Sequence, residues 1–406
     1  MSAGRSVAVT GLGAICSLGH DVASVWESLA RGTSGIGPIR SVETSNLRFR
    51  NGAEVAGFDP GRHFEPARLD LLDRFAQFAV VAAREAVRDA GLELAPELAA
   101  KTAVVTGSCL GGQTTEDAGF FELYGRGTGR MHPLSIPRVM ANAGASQISM
   151  DLAITGPVST FSTACSSASH AIGHAFWMVR SGTAELAIAG GSEAPFSPGH
   201  LKGWEALRVV SPDTCRPFSL NRRGLILGEG GAMLVLEPVE AARARGARVY
   251  AEIAGFGMSA DAHHVTQPTV EGPLRAMQAA LRDAGLDADE IGYVNAHGTG
   301  TPGNDKTEAQ AIRKVFGERA GGVAVSSTKS MHGHALGAAG ALEAVATVMA
   351  LSTGILPPTA NFTAPDPECD LDVVPNESRK ARVAAALSNS FAFGGLNAVL
   401  AFRRLP

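Results

Sequence analysis

Short apolar runs alternate with alanine-rich stretches along almost the whole chain. Runs rich in Val, Ile, Leu and Ala, bounded by glycine or polar turns, predict strands buried on both faces. They fall at Val7–Thr10, Thr102–Thr106, Leu186–Ala189, Gly231–Glu237, Tyr250–Phe256, Gly292–Asn295, Val323–Ser326, Ala384–Ser388 and Ala398–Phe402. Helical patterning predicts Leu69–Ala90, Ala168–Ser181, Gly272–Ala284, Asp305–Phe316 and Ala338–Thr353. In the first of these, Leu72, Phe75, Phe78, Ala79, Ala82 and Ala86 recur at helical spacing, so it has one face to bury. Strands alternating with helices mark an α/β fold. Two segments start alike, VAVTGLGAI at 7–15 and AEIAGFGMS at 251–259. Each runs into a Gly-x-Gly and opens a new series of strands and helices, which points to two similar halves meeting near residue 250.

At 406 residues the chain is long enough for two ordinary domains or one duplicated unit, and no low-complexity linker divides it. Its 45% hydrophobic content, 48 glycines and 6% aromatics favour tight turns and close helix–sheet contacts and argue against disorder. A net charge of −4 gives no reason to expect a nucleic-acid partner. No window approaches about 18 uninterrupted apolar residues, so no membrane span is expected. The N-terminus runs directly into the strand-like Val7-Ala8-Val9-Thr10, leaving no room for a signal peptide. Five cysteines, at 16, 109, 165, 215 and 369, form no C-x-x-C pair. The expectation is a cytoplasmic protein with reduced thiols rather than a disulfide framework or zinc ribbon.

One of those thiols has chemistry around it. Cys165 lies in VSTFSTACSSASHAIGHAF, among small residues and just before an amphipathic helix. The helix dipole and unpaired N–H groups there favour a thiolate, and the small neighbours leave room for substrate and an oxyanion hole. Two histidines have similar settings: His297 ends one strand and His334 follows another, each in a glycine-rich turn before a helix. Functional groups in α/β folds gather at the carboxyl ends of strands. A literal Gly-x-Gly-x-x-Gly also occurs at Gly298, Gly300 and Gly303. Here Pro302 interrupts the motif, Asn304-Asp305 offers an N-cap beyond it, and no acidic residue follows at a strand end about 20 positions on. The helix is therefore expected to begin after the glycines, and the loop to serve His297 rather than a pyrophosphate. His263-His264 and His332-x-His334 lack the spacing and partners of a metal site, so no metal is expected.

TACSSA, NAHGTGTPGND, STKSMHGHALGAAGALE and LSNSFAFGGLN, with RPFSLNRRGLILGEGGAMLVLE between the first two, follow one another along the chain. In this order the sequence resembles, over nearly its whole length, the β-ketoacyl-[acyl-carrier-protein] synthases of the elongating type with a Cys-His-His site. The resemblance implies an α/β thiolase fold of two similar halves stacked as α-β-α-β-α layers in an obligate dimer. Residues 1–250 would carry the nucleophile and 251–406 the histidines. It implies an acyltransferase in which Cys165 takes an acyl group from a carrier protein. A malonyl thioester then loses CO₂, and its enolate attacks the acyl-Cys. His297 and His334 would stabilise that enolate, and the N–H groups of Cys165 and Phe393 would hold the oxyanion of acyl transfer. Lys329 would organise the site electrostatically, with Glu343 balancing its charge. Thr299 and Thr301 match residues that bond the pantetheine amides. Leu110 matches an acyl-pocket position, and Phe391 and Phe393 fall in the substrate-binding gate segment. Residues 131–140, with Leu134, would line the pocket floor from across the dimer. Asn304, Asp305, Glu308 and Asn389 would tie loops together; some relatives hold a monovalent cation hereabouts. No resident cofactor is implied, because phosphopantetheine arrives on the acyl carrier protein. The partner subunit is a second copy or a chain-length-factor-like chain.

The departures bear on specificity. The gate segment reads Ala392-Phe393-Gly394-Gly395, with Ala where the family usually has Gly, which predicts a stiffer hinge. Cys109 stands where Gly is common, and Arg223 and Leu225 stand where acidic and aromatic residues are usual. These changes fit a polyketide, polyene or modified fatty-acid pathway as well as a housekeeping one. A chain-length-determining partner subunit would lack the nucleophile that this chain keeps. A CoA-dependent thiolase would want a second catalytic cysteine in a glycine-rich loop, which neither Cys215 nor Cys369 supplies.

Overall fold

A computed structural model describes residues 4–405. Its principal strands are β1 (Val7–Cys16), β2 (Thr102–Gly107), β3 (Val158–Phe161), β4 (Leu186–Glu193), β5 (Gly230–Pro238), β6 (Ala251–Ala260), β7 (Ile291–Asn295), β8 (Ala324–Ser326), β9 (Asp372–Val373), β10 (Ala385–Ala392) and β11 (Leu396–Arg403). The helices that matter here are α1 (Arg74–Asp89), α2 (Gln113–Phe120), α3 (Ser167–Ser181), α4 (Pro198–Leu207), α5 (Glu271–Ala284), α6 (Pro302–Phe316) and α7 (Ala339–Thr353).

The strands are connected in the order β9-β8-β7-β10-β11-β6-β1-β5-β4-β2-β3. From the centre outward, the N-terminal set runs first, fifth, fourth, second, third (β1-β5-β4-β2-β3). Apart from the added two-residue edge strand β9, the C-terminal set repeats that order as β6-β11-β10-β7-β8. Directions repeat as well. The first and fifth strands are antiparallel, as are the fifth and fourth, and the fourth, second and third run parallel. The duplication hinted at by the two Gly-x-Gly segments is therefore explicit in the topology. The two sheets meet only through the short antiparallel seam Val7–Val9 against Ala251–Ile253.

Apolar packing assigns the layers. Phe75, Phe78, Ala79 and Ala82 of α1 pack with Ile15, Val104, Ile188 and Met233 on the outer face of the first sheet. Met277 and Ala280 of α5 and Ile312 of α6 do the same on the second, against Val294, Leu387 and Val399. Between the sheets, Ala171, Ile172 and Phe176 of α3 share one core with Leu342, Val345 and Val348 of α7. This is the five-layer α-β-α-β-α arrangement. The Gly-x-Gly pairs explain how the outer helices come so close. A Cβ at Gly11 or Gly13 would lie 2.1 or 1.9 Å from a carbonyl of α1, and one at Gly255 or Gly257 would lie 2.6 or 2.2 Å from a carbonyl of α5. We expect Gly13→Ala to lower stability by about 3 kcal/mol, because backbone must move to admit the methyl group. Urea unfolding of the variant checks this.

Every predicted strand and helix is present, most with shifted ends. The helix expected over 69–90 is broken: a short turn, Pro66–Leu69, precedes α1, and Asp73 caps α1 by accepting from the Phe75 N–H at 3.0 Å. The apolar periodicity ran through the cap because Leu72 is itself buried. The edge strand β3 escaped notice because it is short, half polar and partly exposed. One stretch, Leu336–Thr353, is long and apolar enough to cross a membrane, with mean hydropathy 1.4, but 89% of it is buried inside the fold. It is the central helix layer.

Candidate active site

Both halves deliver their chemistry to one cavity of about 210 Å³ lined by Cys165, His297, His334, Thr299, Thr301, Phe391 and Phe393, among others. Cys165 stands on a sharp turn just ahead of α3. Ala164 before it has φ +49°, a left-handed conformation that a non-glycine residue adopts only at a cost. Small-residue bonds hold the turn: Ser167 Oγ accepts from the Thr163 N–H at 2.9 Å and donates to the Ala164 carbonyl at 2.6 Å. The backbone N–H groups of Phe393 and of Cys165 itself face the sulfur and favour its anionic form. One of these donors comes from each half of the chain.

Burial outweighs the groups that favour the thiolate. Burial pushes the Cys165 thiol up to about 11, and Lys329 and the two N–H groups offset this only partly. At pH 7 roughly one molecule in ten thousand carries the thiolate. Iodoacetamide alkylation of Cys165 in the free protein should therefore rise about tenfold per pH unit between pH 7 and 9, because the thiolate is the reactive form. A rate that levels off below pH 8 would mean that the dipole and N–H groups win over burial.

His297 follows β7, and its loop is built around internal carboxylates. Glu308 on α6 accepts from the N–H groups of His297 at 2.8 Å and Gly298 at 2.7 Å, and from Asn389 Nδ2 at 3.1 Å. Asp305 accepts from Gly300 N at 3.1 Å and Phe218 N at 2.8 Å. The loop amides that a pyrophosphate would take are already occupied, so the Gly-x-Gly-x-x-Gly is not a dinucleotide loop. The expected helix start needs correction. α6 begins at Pro302, with Thr301 in the cap position, so Gly303 lies inside the first turn. Proline at the first helical position gives up no hydrogen bond, which leaves Asp305 free to turn inward.

Lys329 is fully buried and completes this unit. Its Nζ donates to the His297 carbonyl at 2.7 Å, lies 3.2 Å from His297 Nδ1, and pairs with Glu343. A neighbouring ammonium can only donate, so His297 accepts at Nδ1 and carries its proton on Nε2. Burial and then Lys329 hold both His297 and His334 well below the usual histidine range, so both rings are neutral. The two imidazoles lie 5.4 Å apart and nearly perpendicular. His334 is fixed through its backbone, donating to the Ile226 carbonyl at 2.6 Å and accepting from Gly228 N at 2.9 Å. Its Nδ1 has no partner among the described residues. Burial pushes the Glu343 carboxyl up to about 7, with Lys329 opposing. A nucleophilic thiol, two N–H donors at its sulfur and two neutral imidazoles in a half-closed apolar cavity suit acyl transfer and enolate stabilisation.

Residues 4–242 match the model of the β-ketoacyl synthase N-terminal domain, and residues 250–363 that of the C-terminal domain. The chain belongs to the β-ketoacyl synthase family. It is similar, at 49% identity over 99% of this chain and 100% of the relative, to Nodulation protein E of Rhizobium sp. (strain N33). It is 41% identical to 3-oxoacyl-[acyl-carrier-protein] synthase 2 of Staphylococcus aureus (strain COL), over 100% and 99% of the two chains. Among solved structures it superposes on the ishigamide ketosynthase/chain length factor with TM-score 0.94 and 38% identity, covering 100% of both chains. A type II polyketide ketosynthase bound to its acyl-carrier protein gives TM-score 0.88 at 32% identity, over 99% and 100% of the two chains.

Not every expected site residue of this synthase meets at the cavity. Leu110 packs beside it, in an apolar cluster that includes Phe393 and Leu225. Leu134 is exposed on the surface and does not line the catalytic cavity. Ala392 pairs with Leu396 as the last residue of β10, and Gly394 and Gly395 take the positive φ values, so alanine is unstrained at 392 in this conformation. Leu225 lines the cavity, whereas Arg223 is exposed. Sequence reasoning missed the cavity mouth, where Asp261 and residues 264–268 lie. Asp261 Oδ1 accepts from Asn397 Nδ2 at 2.8 Å, and Gly394 N donates to the Val265 carbonyl at 2.7 Å. The signal was a polar run following the end of β6, in which His263-His264 had been weighed only as a metal-site candidate.

Proposed function

We propose that this β-ketoacyl synthase extends a carrier-bound acyl chain by two carbons through decarboxylative condensation with malonyl-[acyl-carrier-protein]. The observation that carries the reading is the convergence of Cys165, its two N–H donors and two neutral histidines on one cavity. Cys165 Sγ attacks the acyl thioester, the carbonyl oxygen is held by the N–H groups of Cys165 and Phe393, and the pantetheine thiol leaves with a proton. The thiol starts protonated, so its proton must depart as the sulfur attacks. His334, unfixed at Nδ1, can hold a proton on either nitrogen and suits the accepting role. Malonyl thioester then enters and releases CO₂. The Nε2–H of His297, fixed by Lys329, and His334 donate to the enolate oxygen. The enolate carbon attacks the acyl-Cys carbonyl, giving the 3-oxoacyl thioester and expelling Sγ as a thiolate, which takes up a proton from solvent to restore the resting thiol. In this reading Lys329 and Glu343 act through His297, and the hydroxyls of Thr299 and Thr301, which bond each other at 2.8 Å in the free protein, turn to the pantetheine amides.

The same reading includes the acyl carrier protein as partner and source of phosphopantetheine, with no resident cofactor. It also includes a cytoplasmic location, halves dividing at 250/251, and Leu134 as a pocket residue supplied across a dimer. A chain retaining Cys165 would be the active member, with a second copy or a chain-length-factor-like subunit beside it. The higher identity to Nodulation protein E than to 3-oxoacyl-[acyl-carrier-protein] synthase 2 supports a role outside housekeeping synthesis. Incubation with malonyl carrier and a ladder of acyl carriers should yield a 3-oxoacyl carrier and one CO₂ per turnover. Failure with every chain, alone and with a co-expressed partner subunit, overturns the reading.

A further inference from the structure

Trp204 lines two cavities. It walls the catalytic cavity on one side, and on the other a second cavity of about 200 Å³ with Arg48, Phe49, Glu205, Arg208, Val210 and Pro212. The indole is buried and stacks on Phe393, with ring centroids 6.2 Å apart and planes at 24°. Stacking alone allows an indole to slide or flip, since such pairs contribute only about 0.5–1.5 kcal/mol. A hydrogen bond removes that freedom. Trp204 Nε1 donates to His200 Nε2 at 2.7 Å, one turn back on α4, and the two rings meet edge to face at 77°. Accepting at Nε2 requires an unprotonated nitrogen there. Burial pushes His200 down to about 4, against an opposing pull from Asp117, so the ring is neutral at physiological pH. Asp117, on α2, accepts from Gly199 N at 2.7 Å and pins the start of α4. The chain of contacts therefore runs from α2 through His200 and Trp204 to Phe393, whose N–H reaches the Cys165 sulfur.

We propose that His200 is a positioning residue of the gate: its hydrogen bond fixes the Trp204 indole as the wall on which Phe393 stacks, and thereby sets the Phe393 N–H at Cys165. The proposal rests on the reading of Cys165 as the acylated nucleophile. His200 touches no reacting atom and acts through Trp204. In His200→Leu the indole N–H is left buried without an acceptor and the wall loosens. In His200→Gln an amide oxygen restores the acceptor. Trp204→Phe keeps a ring against Phe393 but removes the donor.

The test compares wild type with these three variants in two assays: acylation from an acyl-carrier thioester by intact-mass spectrometry, and iodoacetamide alkylation of Cys165. The expected result is a kcat for acylation about tenfold lower in His200→Leu and Trp204→Phe, with KM for the carrier thioester within about twofold. Alkylation in both should be at least about threefold faster, because a loosened gate admits the reagent. His200→Gln should recover most of the lost rate. If His200→Leu and Trp204→Phe acylate and alkylate at wild-type rates, the proposal fails. It also fails if His200→Gln is as impaired as His200→Leu, since the acceptor is then not what matters. The alkylation assay reads the gate even if wild type takes no acyl group, so failure of the functional reading and failure of this proposal give different results. Thermal unfolding of each variant separates a loosened gate from a damaged fold.

Discussion

Cys165→Ala takes up no acyl group from any carrier thioester, whereas wild type gains the mass of one. Its condensation rate falls by about four orders of magnitude or more, because no other group can form the covalent intermediate. The structure makes this a discriminating test among five thiols. Cys16, Cys215 and Cys369 are buried and pushed up to about 12 by desolvation. Cys215 Sγ is occupied as a donor to the Thr299 carbonyl at 3.3 Å, and none of the three lines the catalytic cavity. Cys109 is also raised well above the usual thiol value, by burial and then by Glu193. Only Cys165 has N–H donors from both halves at its sulfur together with access to the cavity. Residual acylation in the alanine variant would point to Cys109, the half-buried thiol in the cluster beside Phe393, and would move the nucleophile away from the oxyanion hole.

Lys329→Met should lose most condensation activity and about 3–5 kcal/mol of stability, because it leaves Glu343 buried without its partner. Both side chains are fully buried and Glu343 Oε2 has no other contact among the described residues, so nothing nearby compensates. Activity falls for a separate reason: without the ammonium at Nδ1, His297 no longer has its proton fixed on Nε2, where the enolate needs it. The double variant Lys329→Met/Glu343→Leu separates the two effects. Replacing a buried pair with apolar groups of similar size is often neutral or stabilising, so the double variant should regain stability in urea unfolding and remain inactive. Recovery of activity alongside stability would show that the pair is structural and that Lys329 has no part in setting the tautomer.

Much of the site was legible in the sequence because its parts are local. Cys165 is marked by its small neighbours and the helix that follows. His297 and His334 are marked by strand ends and glycine turns, and their order along the chain carries the family pattern. Less legible was anything made by distant segments meeting. The protonated state of Cys165 depends on how deeply the turn is buried. The occupied amides of the His297 loop depend on Asp305 and Glu308 turning inward. Trp204 carried no motif at all, and became a wall of the site only when α4 was laid against the 392–395 loop.

The alternation of apolar runs and helices, the two Gly-x-Gly strand openings and the three chemical motifs were determined by the sequence alone, since each is a relation between residues a few positions apart. The tertiary structure decided which groups share a cavity, which protons they carry and which donors face the sulfur. Those properties are set by burial and by charges as far as 164 positions away in the chain, the separation of Cys165 and Lys329. Desolvation and Coulomb interactions depend on distance in space, and only the packed layers of the two halves bring Cys165, Lys329 and Phe393 into one low-dielectric site.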